Sequence, residues 1–382
     1  MNFIYPRSPE IIFGRGSIRN LPDKVKALGI DQVFVVSDKG IRKAGITDKL
    51  IALLQEANIK VNLFEEIEKE PTAMNIEEAK KELKASGAKM VIGLGGGSAL
   101  DVSKAVALLA TNEGDILSYV GVEKFKKEGL PLIAIPTTAG TGSEVTRFIV
   151  FIGPEVKTKL VIVSQLAIPK CAILDPELTI TLPPKVTAAT GMDALTHAIE
   201  SYVNVSSNYL SESLSMKAIQ LIAKSLRKAV ARGSNIEARE EMLAASLLAG
   251  LAFNSTRLGI VHAMSQPAGG HFDIPHGISN AILLPYVMEY NLIGNIERYI
   301  DIAVAFGEKI DGLSPMEAAM RSVKAVRDLM RDIGITEKLG DFGVREEDLE
   351  MLASEAMESG NILVNPRFPS KEDIIEIYKK AL

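Results

Sequence analysis

The stretch Met90-Val91-Ile92-Gly93-Leu94-Gly95-Gly96-Gly97-Ser98-Ala99-Leu100-Asp101 decides how the chain folds. Residues 90–94 are an apolar run that reads as a buried strand. Glycines follow, and a helix opens behind them that runs to about residue 110. Strand, glycine turn and helix make one unit of a parallel α/β sheet. Glycines lack a Cβ, so an anionic group can approach their backbone amides, and a helix N-terminus favours negative charge there. Gly95, Gly96, Gly97 and Ser98 are therefore candidates for holding a phosphate. The competing reading is a tight turn with a good cap, because Ser98 and Asp101 have the Ser-x-x-Asp spacing of a capping box. Three successive glycines exceed what a cap needs. The spacing is not that of the dinucleotide fingerprint, and the unit is not the first of the sheet.

The same alternation extends on both sides. Upstream, residues 2–13 read as a hairpin or an extended arm. A helix at 21–28 and a β-branched strand at 32–36 follow, with Ser37-Asp38-Lys39-Gly40 closing the strand. Next come a helix at 48–57, a strand at 60–64 and an amphipathic helix at 75–86. Downstream, residues 132–136 form a strand that runs into Thr137-Thr138-Ala139-Gly140-Thr141-Gly142-Ser143-Glu144. Small hydroxyl residues and glycines at a strand's C-terminal end suit a ligand crevice, and a solvated loop is the alternative. Residues 147–152 and 157–163 read as a hairpin, and 172–174 as a last strand.

From Pro184 onward the character changes. Helical periodicity marks residues 186–203, 209–231, 236–253, 258–268, 278–290, 314–333, 345–357 and 371–381. The expected organisation is an α/β domain with a parallel sheet over residues 1–184 and an all-α domain over 185–382. A site would lie in the cleft between them.

All four histidines, His197, His262, His271 and His276, fall in the second half. Asp193 and His197 are four residues apart in one predicted helix, so both point from the same face. His262 lies in a second apolar helix, and His276 in Ile274-Pro275-His276-Gly277, where Pro and Gly suggest a turn. A capping acid with core histidines is the plain alternative. The clustering favours a first-row divalent metal held by three imidazoles and a carboxylate, a set that accepts iron(II), zinc, nickel or cobalt.

Composition excludes other classes. The chain of 382 residues is 47% hydrophobic and 24% charged, with a net charge of -5. These are the proportions of a globular protein. No basic face suits nucleic acid, and no uncharged apolar run reaches membrane-spanning length. The start lacks the pattern of a signal peptide. A lone Cys171 suits a reducing compartment, so a cytoplasmic location is expected.

Four stretches together resemble the iron-containing (group III) alcohol dehydrogenases. They are residues 95–101, the Pro136–Glu144 loop, Thr190-Gly191-Met192-Asp193-Ala194-Leu195-Thr196-His197-Ala198-Ile199-Glu200-Ser201-Tyr202, and His262 through His276-Gly277. They span nearly the whole chain in family order. The resemblance implies an N-terminal nucleotide-binding domain and a C-terminal metal domain of the dehydroquinate synthase-like kind. It implies Asp193, His197, His262 and His276 as metal ligands, with Fe2+ favoured and Zn2+ the alternative. Gly96, Gly97 and Ser98 would hold the pyrophosphate, and Thr137, Thr138 and Thr141 would line the nicotinamide side. Lys159 matches a cofactor-contacting lysine, and Asp38 an acidic position near the adenosine ribose. A carboxylate there accepts ribose hydroxyls and repels a 2′-phosphate, so NAD is expected over NADP. A turn aspartate at a strand end is the competing reading of Asp38.

One position departs from the pattern. Many members carry a histidine four residues after His262, where this chain has Gln266. Helical spacing points Gln266 toward the same site, so His262, Gln266 and His276 are the residues expected at the reacting centre. Glutamine exchanges no proton near neutral pH, which puts a proton-relay role in doubt. The expected activity is hydride transfer between NAD(H) and a small alcohol or aldehyde. A metal-dependent lyase or synthase that uses NAD transiently is the alternative. A nucleotide-binding protein without activity and a metallohydrolase fit the motifs less well. Phe148, Phe253 and Phe272 are candidates for an apolar substrate pocket. The resemblance also implies a homodimer paired through the N-terminal arm.

Overall fold

β-branched and aliphatic runs form a six-stranded parallel sheet. The computed structural model describes residues 3–67, 70–154 and 159–382. Its strands are β1 (Glu10–Phe13), β2 (Gln32–Val36), β3 (Lys60–Phe64), β4 (Val91–Gly95), β5 (Gly121–Val122), β6 (Leu132–Pro136), β7 (Phe148–Ile152), β8 (Lys159–Val163) and β9 (Cys171–Leu174). The main sheet has the order β1-β9-β6-β4-β2-β3, and every neighbouring pair is parallel. Strands β4, β6 and β9 are buried along their whole length, as sheet-core strands with both faces covered must be. A small second sheet, β5-β8-β7, contains the expected antiparallel pair, with Phe148 opposite Val163 and Ile152 opposite Lys159; residues 155–158, with the start of the expected 157–163 strand, lie outside the described residues.

Helices α1 (Leu21–Lys26), α2 (Lys39–Lys43), α3 (Ile46–Glu56), α4 (Ala73–Ser86) and α5 (Gly97–Leu109) alternate with these strands. Two apolar layers result, one on each side of the sheet. One is built on Phe34, Ile76, Val102 and Val106, the other on Val35, Leu50, Ile92 and Ile133.

The first strand corrects one expectation. Residues 10–13 do not form a hairpin with their neighbours. β1 pairs in parallel with β9, Glu10 opposite Cys171 and Phe13 opposite Leu174. Asp175 then ties the two together, accepting from the amides of Gly16 (3.1 Å) and Ile18 (3.2 Å).

The chain divides into two compact units. One is residues 6–138 and 142–181. The other is residues 3–5, 139–141 and 182–382. The second is helical: α6 (Pro184–Val203), α7 (Tyr209–Ala231), α8 (Ile236–Thr256), α9 (Ile260–Phe272), α10 (His276–Asn291), α11 (Ile296–Ala305), α12 (Pro315–Asp332), α13 (Leu349–Met357) and α14 (Lys371–Ala381). One continuous core runs through it, from Met192 and Leu195 through Ile219 and Val261 to Ile377. Tyr5 belongs to this unit, its hydroxyl donating to the Leu251 carbonyl at 2.7 Å. Among the described residues no single helix is long and apolar enough to cross a membrane. The pair α8 and α9 is so only when taken together, across a bend of 104°.

Candidate functional site

Three helices of the helical unit aim imidazoles at one carboxylate. Asp193, His197 and Glu200 lie on one face of α6, spaced i, i+4, i+7. His262 comes from α9 and His276 from the first position of α10. The Pro275-His276-Gly277 segment is therefore a helix start and not a free turn. Gly277 is needed there because a Cβ would lie 2.3 Å from the Ala189 carbonyl oxygen of α6. That close approach is what brings His276 to Asp193.

Asp193, His262 and His276 each offer a ligand atom within 4.8 Å of the others. His197 stands beside them. Its Nε2 is 3.8 Å from Asp193 Oδ1, and its ring stacks on His262 with centroids 4.7 Å apart. Two contacts set the tautomers. His197 Nδ1 donates to the Gly140 carbonyl at 3.2 Å, and His262 Nδ1 donates to Glu200 Oε2 at 2.5 Å. Both Nε2 atoms are thus left with lone pairs, the form that binds metals.

Electrostatics agree with this assignment. Burial pushes His197 down to about 4, against the opposing pull of Asp193. It is a neutral imidazole near neutral pH. Burial alone would raise Asp193, but His197, His276, His262 and the Asn280 amide outweigh it and hold the carboxyl below its ordinary value.

The acceptors converge on one point. Asn280 Nδ2 lies 2.7 Å from Asp193 Oδ1, 3.1 Å from His262 Nε2 and 3.2 Å from His276 Nε2. A primary amide has two hydrogens and faces three acceptors. Asn280 Oδ1 is itself buried without a hydrogen-bond partner among the described residues. An excess of converging lone pairs over donors is what a cation resolves, and a set of imidazoles with a carboxylate fits a first-row divalent ion.

The glycine turn belongs to the other unit. Gly95 has φ 151°, and a Cβ on it would lie 2.8 Å from Ala99 Cβ. Gly96 is the N-cap of α5, and it has no side chain with which to cap that helix. The capping box expected of Ser98 and Asp101 is therefore not formed: Ser98 sits inside the first turn, and Asp101 bonds elsewhere. A glycine N-cap lets an anion approach the backbone at a helix start, which fits a pyrophosphate.

Thr137 and Thr138 follow β6. Thr137 N donates to the Gly95 carbonyl at 3.0 Å, and its buried hydroxyl has no partner among the described residues. Thr138 flanks Gly96, with its Cγ2 3.5 Å from where a Cβ would be. Thr141 falls in the 139–141 segment that packs with the helical unit. Asp38 caps α2, its Oδ1 accepting from Ile41 N at 3.0 Å, while its Oδ2 faces Gly95. Lys159 begins β8 and pairs with Glu70 at 3.0 Å.

Asp101 anchors a buried charged network beneath the glycine turn. It accepts from Ser143 Oγ at 2.5 Å and Val150 N at 3.0 Å, and Lys104 Nζ is 3.5 Å away. Lys104 also donates to the Phe148 carbonyl at 2.9 Å. Burial pushes Glu144 up to about 7, although its own backbone amide and Lys104 pull the other way. Burial also raises Asp101 and lowers Lys104.

His271 is in the last turn of α9, and its Nε2 bonds Glu355 at 2.8 Å. Gln266 lies one turn after His262 on α9 and is half-buried. Of the three phenylalanines, Phe253 stacks on His197 at 4.5 Å, and Phe272 packs on the helical core. Phe148 belongs to the small sheet of the other unit. The sequence alone assigns no part to Glu200 and does not point to Asn280. Their spacings, seven after Asp193 and four after His276, carry the signal.

Comparisons with known proteins follow the same lines. Residues 8–176 match the model of iron-containing alcohol dehydrogenase, and residues 187–382 match that of the Fe-containing alcohol dehydrogenase family, C-terminal. The chain is 44% identical over 371 residues to the 1,3-propanediol dehydrogenase of Citrobacter freundii, covering 97% of this chain and 96% of that one. It is 38% identical to the NAD-dependent methanol dehydrogenase of Bacillus methanolicus, with both chains fully covered. A crystal structure of a 1,3-propanediol oxidoreductase superposes with a TM-score of 0.97 at 43% identity, covering 100% of both chains.

Proposed function

The chain belongs to the iron-containing alcohol dehydrogenase family, and from that premise we propose that it works on a small alcohol or its aldehyde at a divalent metal held by Asp193, His197, His262 and His276. It is an oxidoreductase acting on CH–OH groups with a nicotinamide acceptor. The lyase alternative is not favoured by these relatives. The observation that carries the metal reading is the convergence of three acceptors on the Asn280 amide.

When bound, the metal supplies Lewis acidity toward the substrate oxygen, and the nicotinamide supplies the hydride acceptor or donor. The chain's own residues do the rest. Asp193 brings a negative charge that offsets the cation. His197, His262 and His276 present ring nitrogens. Gln266 is read as an orienting group near the substrate, because an amide relays no proton near neutral pH. Phe253 covers His197 with an apolar ring and keeps water from that side. The amides of Gly96, Gly97 and Ser98 take the pyrophosphate, Gly95 allows the turn, and Thr137, Thr138 and Thr141 take the nicotinamide side. Lys159 contacts the cofactor. The two halves of the chain thus act as a dinucleotide-binding domain (residues 1–184) and a metal-binding domain (185–382).

Iron(II) is the metal proposed, with zinc as the alternative, and NAD the cofactor in preference to NADP. Asp38 supports the latter, since one of its oxygens caps α2 and the other faces the glycine turn. A cytoplasmic homodimer is proposed on two grounds. The lone Cys171 is buried and free. The edge strand β1 leaves Ile11 and Phe13 exposed, as are Phe3 and Ile4 before it, and a second copy would cover them.

The test is NADH oxidation with a panel of short aldehydes, run anaerobically with and without iron(II). Iron-dependent turnover is expected. No NADH consumption with any metal or aldehyde would overturn the reading.

A further inference from the structure

We propose that Glu200 is a positioning residue that holds His262 in the one tautomer able to bind a metal. The inference rests on the reading of His262 as a ligand. Glu200 is 4% exposed and lies on the same face of α6 as Asp193 and His197. Its two oxygens serve two donors at once. Oε1 accepts from the Val261 amide at 2.7 Å, and Oε2 accepts from His262 Nδ1 at 2.5 Å. Val261 is in the first turn of α9, where amides lack helical partners and an anion is favoured.

The geometry leaves little freedom. A proton on His262 Nδ1 frees Nε2, which then faces Asp193 Oδ1 at 3.9 Å and Asn280 Nδ2 at 3.1 Å. A proton on Nε2 instead would point a hydrogen into the candidate metal position. Glutamine at 200 cannot replace the carboxylate, because an amide has one acceptor and one donor end. With its oxygen toward Val261, its N–H2 meets His262 Nδ1 and demands the wrong tautomer. With its oxygen toward His262, the N–H2 meets the buried Val261 amide, donor against donor. Such carboxylate–histidine pairs orient ligands and raise their basicity, and losing one costs about 10–100-fold in metal affinity.

The experiment has two readouts on the metal-free full chain. Long-range proton–nitrogen NMR of histidine-labelled protein at pH 8 reports which ring nitrogen carries the proton, and only four histidines need assigning. Wild type is expected to show His262 protonated at Nδ1. In Glu200→Gln the proton is expected to move to Nε2, or the Nδ1 resonance to lose its hydrogen-bonded shift. Titration with Zn2+ alone against a chromophoric chelator should then show affinity reduced by about 10–100-fold. Wild-type His262 protonated at Nε2 would overturn the proposal without any variant. So would Glu200→Gln binding Zn2+ like wild type. Failure of the underlying reading looks different: His262→Ala would then keep wild-type Zn2+ affinity.

Discussion

Both units bury charged groups, but they do so to opposite ends. In the α/β unit, Asp101 and Glu144 share their surroundings with Lys104, and Asp101 spends both oxygens on Ser143, Val150 and that lysine. The network supplies its own cation. In the helical unit Asp193 has only imidazoles and one amide around it, and two of the imidazoles are tied at Nδ1 so that Nε2 faces inward. The described residues there place no lysine or arginine beside Asp193. A buried cluster that compensates itself is structural, and removing one member leaves a stranded charge. A buried cluster with surplus acceptors is built for something that arrives from outside. The difference lies in the balance of donors and acceptors, not in how many charges are buried.

The largest effect should come from His276→Ala. It removes an inward-facing acceptor and leaves the self-compensated network alone. Metal affinity should fall by more than the roughly 100-fold that losing an outer partner costs, with turnover lost alongside. Metal content and NADH oxidation would be measured together. A variant that turns over without metal would break the contrast.

Glu144→Gln probes the other cluster. The raised value of Glu144, about 7 against an ordinary 4.5, means the folded state keeps a proton that the unfolded state releases. Its stabilising contribution is full below pH 4.5 and is lost as pH rises through 7. A neutral amide should remove that decline. The variant's stability relative to wild type should improve between pH 4.5 and 8 by at most about 3 kcal/mol, since each pH unit between the two values contributes about 1.4 kcal/mol. Urea unfolding of both proteins at the two pH values measures it. A difference that does not change with pH would show that Glu144 stays ionised in the folded state and that burial does not raise it.

The smallest effect concerns Asp38. Replacing it with glycine keeps most of the cap, because glycine costs an N-cap only a few tenths of a kcal/mol. What it removes is the carboxylate beside the glycine turn. The preference for NAD over NADP should then fall by roughly tenfold, about 1.4 kcal/mol, measured as the ratio of kcat/KM values. An unchanged ratio would leave Asp38 as a capping residue alone.

Helix boundaries show what local chemistry is enough for. Residues 209–231 and 371–381 were legible to the residue, because Asn208 and Ser370 cap those helices with their own side chains and polar–apolar periodicity marks the rest. The strand–glycine–helix unit at 90–110 was legible for a different reason, an apolar run ended by glycines. Helix α11 (Ile296–Ala305) was not. It has ten residues and no side-chain cap, too short to be stable alone. It forms by burying Tyr299, Ile302 and Ala303 against the rest of its unit.

The sequence by itself determined the alternating architecture of the first half, the helical character of the second, and the residue types offered as metal ligands. Those follow from period, caps and glycine, which act within a turn or a strand. Only the tertiary structure decided that β1 joins β9 in parallel, that Asp101 leaves its helix cap for a buried network, and that Glu200 and Asn280 complete the imidazole cluster. The physical reason is that hydrogen-bond partners far apart in sequence are chosen by which donors and acceptors burial leaves facing each other. One-dimensional spacing shows which face a side chain occupies, but not what stands opposite it.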